Sequence, residues 1–114
     1  MMQHSIVVQF YDFAEKFWTQ DQRDLDPLLA LEDELTDALD GTDVGELDGH
    51  EIAVDGSDGF LFLYGPDADA LFAAIEPVLR KSAVTHGADA TLRYGDPDDA
   101  DLKQKLVQID QTTH

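Results

Sequence analysis

Cysteine is absent from this 114-residue chain, which excludes disulfides, thiolate metal sites and cysteine nucleophiles. Basic side chains are scarce: 7 lysines and arginines stand against 25 aspartates and glutamates, a formal net charge of −18. A field of that sign repels phosphate backbones and anionic headgroups, so direct binding to nucleic acid or to membranes is disfavoured. No apolar run approaches the roughly 18–20 residues needed to cross a bilayer. The first residues, MMQHSIVVQFYDF, lack a basic stretch followed by a long apolar one. No secretory signal is expected, and the chain reads as cytoplasmic. Phosphate loops, dinucleotide fingerprints and nucleophile elbows are missing as well, with no G-x-x-x-x-G-K-[ST], G-x-G-x-x-G or G-x-S-x-G. An enzyme is disfavoured, and neither a cofactor nor a metal is expected.

What is abundant is acid, and it is spread unevenly. Residues 1–60 hold 16 acidic and 2 basic side chains, whereas residues 61–114 hold 9 and 5. Aspartate outnumbers glutamate by 19 to 6. Such a bias also fits a salt-adapted proteome, where an acidic surface is general and points to no particular partner. A basic protein partner remains open. At this length one domain with a single core is expected over residues 1–114, with 110–114 a frayed tail.

Hydrophobic periodicity orders the rest. Ser5 to Phe13 alternates as a strand, with Ile6, Val8 and Phe10 on one side and Val7, Gln9 and Tyr11 on the other. Residues 12–20 form an aromatic-rich connection. The first helix has two possible starts: a capping box at Thr19–Gln22, or Asp26 as cap with Pro27 in the first turn. The spacing predicts a short helical turn, a kink at Asp26-Pro27, then regular helix to about Asp40, ended by Gly41. Residues 42–49 read as a polar link with room for a short strand around Val44–Leu47, and 51–54 as a strand, closed by a glycine-containing turn at 55–59. Phe60, Phe62 and Tyr64 against Leu61 and Leu63 make the next strand apolar on both faces. Asp67 then caps a helix whose stripe is Leu71, Phe72, Ile75, Val78 and Leu79, with Pro77 inside it. Residues 88–94 are a further strand, with Leu92 and Tyr94 on one face and Thr91 and Arg93 on the other. A last strand at 103–109 suits an edge because of its lysines.

The order β, α, β, β, α, β with an added C-terminal strand predicts an α+β domain of the ferredoxin-like, split β-α-β type. Two helices would cover one face of an antiparallel sheet. The segments GELDGHEI and FLYGPDADALFAAIEPVL within residues 44–79, with ALEDEL before them and LRYG after, resemble a family of small acidic uncharacterised bacterial proteins. The resemblance covers roughly residues 19–110 and departs from the family at Pro27. It implies a compact bacterial domain and brings no catalytic residue, cofactor or substrate.

Three functional readings follow. In the first, the protein is a non-catalytic binding or interaction domain that forms a homodimer through its sheet. The surface would include Phe60, Phe62, Tyr64, Tyr11 and Arg93, since a strand with two apolar faces leaves one for a partner unless another element covers it. In the second, it is an acidic inhibitor or immunity-type protein. Glu32, Asp33, Asp37 and Asp40 would then occupy a basic cleft of a nuclease or DNA-binding partner. The third is a small enzyme using His50 or His86 with a nearby carboxylate. His50-Glu51 starts like a zincin motif, but position 54 is Val54, and neighbours on a strand point to opposite faces. The aspartate runs at 55–59 and 96–101 lack the EF-hand order, so no dedicated cation site is expected.

Overall fold

Alternation builds the first strand as the sequence predicts. In the computed structural model, which describes residues 3–96 and 98–109, β1 spans His4–Tyr11 and buries Ile6, Val8 and Phe10 on one side. The expected frayed tail at 110–114 lies outside the described residues. After β1 come α1 (Phe13–Phe17), α2 (Asp26–Leu39), β2 (Glu46–Ile52), β3 (Asp58–Gly65), α3 (Ala68–Lys81), β4 (Ala88–Arg93) and β5 (Gln104–Ile109). The described residues thus form an α+β structure of three helices and one five-stranded sheet, ordered β2-β3-β1-β4-β5. Every neighbouring pair of strands is antiparallel. α2 carries the chain from β1 to β2, which flank β3, and α3 carries it from β3 to β4, which flank β1.

The core lies between one sheet face and the helices. Ile6, Val8, Phe10, Leu61, Leu63, Ala88, Ala90 and Leu92 point into it from the strands. Leu28, Leu31, Leu35 and Leu39 enter from α2, and Ala68, Leu71, Ile75 and Leu79 from α3. Each fully buried leucine or isoleucine contributes roughly 1.5–3 kcal/mol by leaving water, so this stripe placement decides which way each helix faces. Phe72 and Val78, predicted for the same stripe, are only partly buried at its margin.

Helix α3 starts where predicted. Asp67 Oδ1 accepts hydrogen bonds from the Asp69 and Ala70 amides (3.0 and 3.4 Å), and His4 Nδ1 accepts from the Ala68 amide at 2.9 Å. Three of the four amides that a helix start leaves unpaired are thereby satisfied. Arg80 and Lys81 fall in the last turn, at the negative end of the helix.

Four local expectations are corrected. The capping box at Thr19 starts no helix: residues 19–25 are irregular, and the helix begins at Asp26 with Leu25 in the cap position. Pro27 can occupy only the first turn, and Asp24 Oδ1 accepts from the Asp26 amide at 2.9 Å, turning the chain into it. The aromatic connection contains the short helix α1 instead of a plain loop. Phe13 is fully buried there and packs against Phe10, Phe17 and Trp18. Strand β2 runs the second half of the polar link and the start of the expected 51–54 strand together into one element, while Val54 is 86% exposed in the turn. At a sheet edge only Leu47, His50 and Ile52 need face the helices, so polar residues between them are tolerated. Tyr94 lies past the end of β4, its hydroxyl donating to Asp69 at 2.7 Å and its ring edge-on to His4.

The β2–β3 turn is docked onto α1. The Ala14 amide donates to the Gly56 carbonyl at 2.7 Å, and the Asp12 amide donates to that of Ser57. Gly56 has φ +71°, and a Cβ there would lie 2.6 Å from Ala14 Cβ and 2.7 Å from a Trp18 ring carbon. Gly56→Ala should therefore destabilise the fold by roughly 1–3 kcal/mol, read as a lower urea midpoint at unchanged slope. An unchanged midpoint would show that the turn is not held against α1.

Candidate functional site

The face of the sheet turned away from the helices is where the chain departs from simple amphipathicity. Antiparallel register aligns its side chains in rows across the strands. The first row is Glu46, Tyr64, Ser5, Arg93 and Gln104; the middle row is Gly49, Phe62, Val7, Thr91 and Leu106; the third is Glu51, Phe60, Gln9, Asp89 and Gln108. Asp58 and Tyr11 close the far end. Phe60 and Phe62 stack along β3 with centroids 6.1 Å apart and an interplanar angle of 20°. Phe60, Phe62, Tyr64 and Val7 are half-buried by their neighbours, while Leu106 is 64% exposed on the edge strand. An apolar band thus crosses the middle of a face with polar ends.

The two ends differ in chemistry. At the far end Tyr11 donates to Asp89 Oδ2 at 2.6 Å, and Gln9 Nε2 donates to Asp58 Oδ2 at 3.1 Å. The hydrogen bond to Asp89, together with burial and the charges of Asp89 and Asp58, pushes the Tyr11 hydroxyl up from 10.0 to about 12. At the near end Arg93 is the face's one cation and has no ion pair among the described residues. Its Nε is shielded from water and is the one buried side-chain nitrogen or oxygen in the described residues lacking a hydrogen-bond partner. An unpaired buried donor costs about 1–3 kcal/mol.

All five residues of the first reading, Phe60, Phe62, Tyr64, Tyr11 and Arg93, lie on this one face. The two elements that might have covered it do not. β5 extends the sheet sideways beyond β4, and α1 sends Phe13 to the Phe10 side. Asp89 completes the face, and periodicity already places it beside Thr91 and Arg93. Leu106 was hidden because a strand pattern does not tell which neighbour an edge strand has.

The acidic set is divided. Asp33 and Asp37 are exposed on α2 and Asp40 at its C-cap, but Glu32 turns to the sheet, where its Oε1 lies 2.9 Å from His50 Nδ1. Both partners are partly buried, so Glu32 is engaged within the fold. His50 and Glu51 do point to opposite faces, the histidine toward α2 and the glutamate outward. His86 is exposed in the turn before β4, where its carbonyl accepts from Lys16 Nζ at 3.1 Å. His50 therefore has a carboxylate and His86 has none among the described residues. No three His, Asp or Glu side chains of the described residues gather as a metal ion would require, and none of its helices is long and apolar enough to cross a membrane.

Compared with protein-family models, curated proteins and solved structures, the chain finds no match. The face is therefore read from its own residues.

Tyr11 offers a direct check of its far end. A hydroxyl raised from 10.0 to about 12 adds stability that is fully present below pH 10 and is lost as pH rises through 12. Phenolate absorbance should show Tyr11 titrating near pH 12, as should Tyr94, which its hydrogen bond to Asp69 also raises. Tyr11→Phe should remove one of these late transitions and flatten the alkaline fall in stability. A late transition that Tyr11→Phe leaves undiminished would contradict the Tyr11–Asp89 hydrogen bond.

Proposed function

We propose that the protein is a non-catalytic cytoplasmic interaction domain of ferredoxin-like arrangement, and that the open face of its sheet binds a second copy of the chain. The observation that carries this reading is the apolar band of Phe60, Phe62, Val7 and Leu106, on the side that none of the described helices covers. The interlocked connections through α2 and α3 support the ferredoxin-like arrangement, with β5 as the added strand.

Size and charge set what such an association would be like. Five strands about 4.8 Å apart and four or five residue steps of about 3.4 Å give a footprint on the order of 400 Å². That is half the ~800 Å² per partner of a standard stable interface, so the dimer is weak and concentration-dependent. The face also carries Glu46, Glu51, Asp58 and Asp89 against Arg93 alone. Two such faces repel through water, and salt relieves the repulsion.

A second reading rests on Asp33, Asp37 and Asp40, an exposed acidic stripe along the end of α2 and its C-cap. That stripe suits a basic cleft on a nuclease or another DNA-binding protein. The salt response separates the two readings, because attraction between an acidic stripe and a basic partner weakens with ionic strength.

Sedimentation across a wide concentration range tests the preferred reading. The expected result is a monomer–dimer equilibrium that strengthens as salt rises and is lost in Phe62→Asp. A monomer at every concentration and ionic strength would overturn it.

A further inference from the structure

Arg93 poses a problem that the described residues of its own chain do not solve. The protein carries 25 carboxylates, yet this guanidinium pairs with none of the described ones and its Nε is cut off from both water and partners. The nearest acid on its own face of β4 is Asp89, four residues away along the strand. At about 3.3 Å per residue that is about 13 Å, beyond the reach of a direct pair within one chain. Asp89 has spare capacity, since only its Oδ2 is engaged, by Tyr11.

Two-fold symmetry reduces the ways in which the face can meet its own copy. If the axis runs along the strands through β1, β3 of one copy lies over β4 of the other, and Arg93 meets Tyr64. That arrangement sets no carboxylate directly opposite Arg93: the nearest on the facing row is Glu46, one strand to the side of Tyr64. If the axis runs across the strands, along the Phe62–Val7–Thr91 row, each strand lies antiparallel over its own copy and the first row meets the third. Phe62 then faces Phe62, Tyr64 faces Phe60, and Arg93 faces Asp89. Packed sheets stand about 10 Å apart, a gap that an extended arginine and an aspartate together span.

We infer that a second copy supplies the ion pair that the Arg93 guanidinium lacks among its own described residues, with Arg93 of each subunit pairing to Asp89 of the other across a two-fold axis along the middle row. The inference rests on the self-association proposed above and adds its register and its charged anchor. Arg93 and Asp89 are the groups that fix how the apolar bands align, because the bands alone would tolerate either axis.

A charge swap tests this directly. Dimer dissociation constants are measured by sedimentation for the wild type, Phe62→Asp, Arg93→Asp, Asp89→Arg and the double variant Arg93→Asp/Asp89→Arg, with folding checked by far-ultraviolet circular dichroism. Each single charge reversal should weaken the dimer by about tenfold or more. The double variant should recover to within about threefold of the wild type, since restoration of opposite charges too far apart to pair within one chain requires contact between copies. A dimer abolished by Phe62→Asp but indifferent to Arg93→Asp, or single losses that the double variant does not rescue, would overturn the pair and leave the face as the interface. A wild type that never dimerises, or a dimer indifferent to Phe62→Asp and Arg93→Asp alike, would overturn both.

Discussion

β1 is paired on both sides, with β3 along one edge and β4 along the other, and the remaining elements take their positions from that arrangement. Its even-numbered apolar residues, Ile6, Val8 and Phe10, form the floor on which the helices rest. Its odd-numbered residues, Ser5, Val7, Gln9 and Tyr11, form the axis of the opposite face. A slip of one residue in either pairing would exchange these two sets and place Gln9 in the core. The large buried groups facing Ile6, Val8 and Phe10 make that slip expensive, so register is set by burial before any turn contributes.

Much of this was legible in the sequence wherever periodicity and capping agreed. Asp67, followed by a stripe at helical spacing, gave away α3 because the cap and the apolar face specify the same start. Residues 60–64, apolar on both faces, marked β3 as a strand with one apolar face to spare, and in the structure Phe60, Phe62 and Tyr64 do lie on the side away from the core. The failures came where a local signal competed with tertiary context. Thr19–Gln22 has the chemistry of a helix start, but Trp18 beside it is held by Arg23 over its ring and by its own Nε1 donating to the Asp24 carbonyl. Those contacts keep 19–25 folded back as a loop. β2 was misplaced for a different reason, in that an edge strand with one solvated side carries too few apolar residues to register as a pattern.

The open face was readable as a set of positions but not as a set of relations. Period two puts Thr91 and Arg93 on one side of a strand, whereas nothing in the sequence tells that Tyr11 and Asp89 meet, because they lie on different strands whose register is a tertiary fact. The His50–Glu32 contact was hidden in the same way: it joins the inner side of β2 to α2 and uses an acid that composition alone assigns to the solvent. In a chain with so many carboxylates, an acid's type and sequence position carry little information. What distinguishes one carboxylate from another here is which hydrogen-bond donor the fold brings to it.

The central place of β1 has a consequence for how the protein is made. Ser5 pairs with Tyr64 on one side and with Arg93 on the other. On the ribosome, the strand that organises the sheet is therefore synthesised long before either neighbour exists, and its Ile-Val-Val segment waits with both edges unpaired. The hairpin of β2 and β3 can enclose one edge, but the second stays open until β4 has emerged. Like charges repel, so the acidity concentrated in the first sixty residues opposes contact between nascent chains during that interval. The same charge that gives the finished molecule its surface thus acts on the unfinished one, at the stage when its central strand lacks a partner.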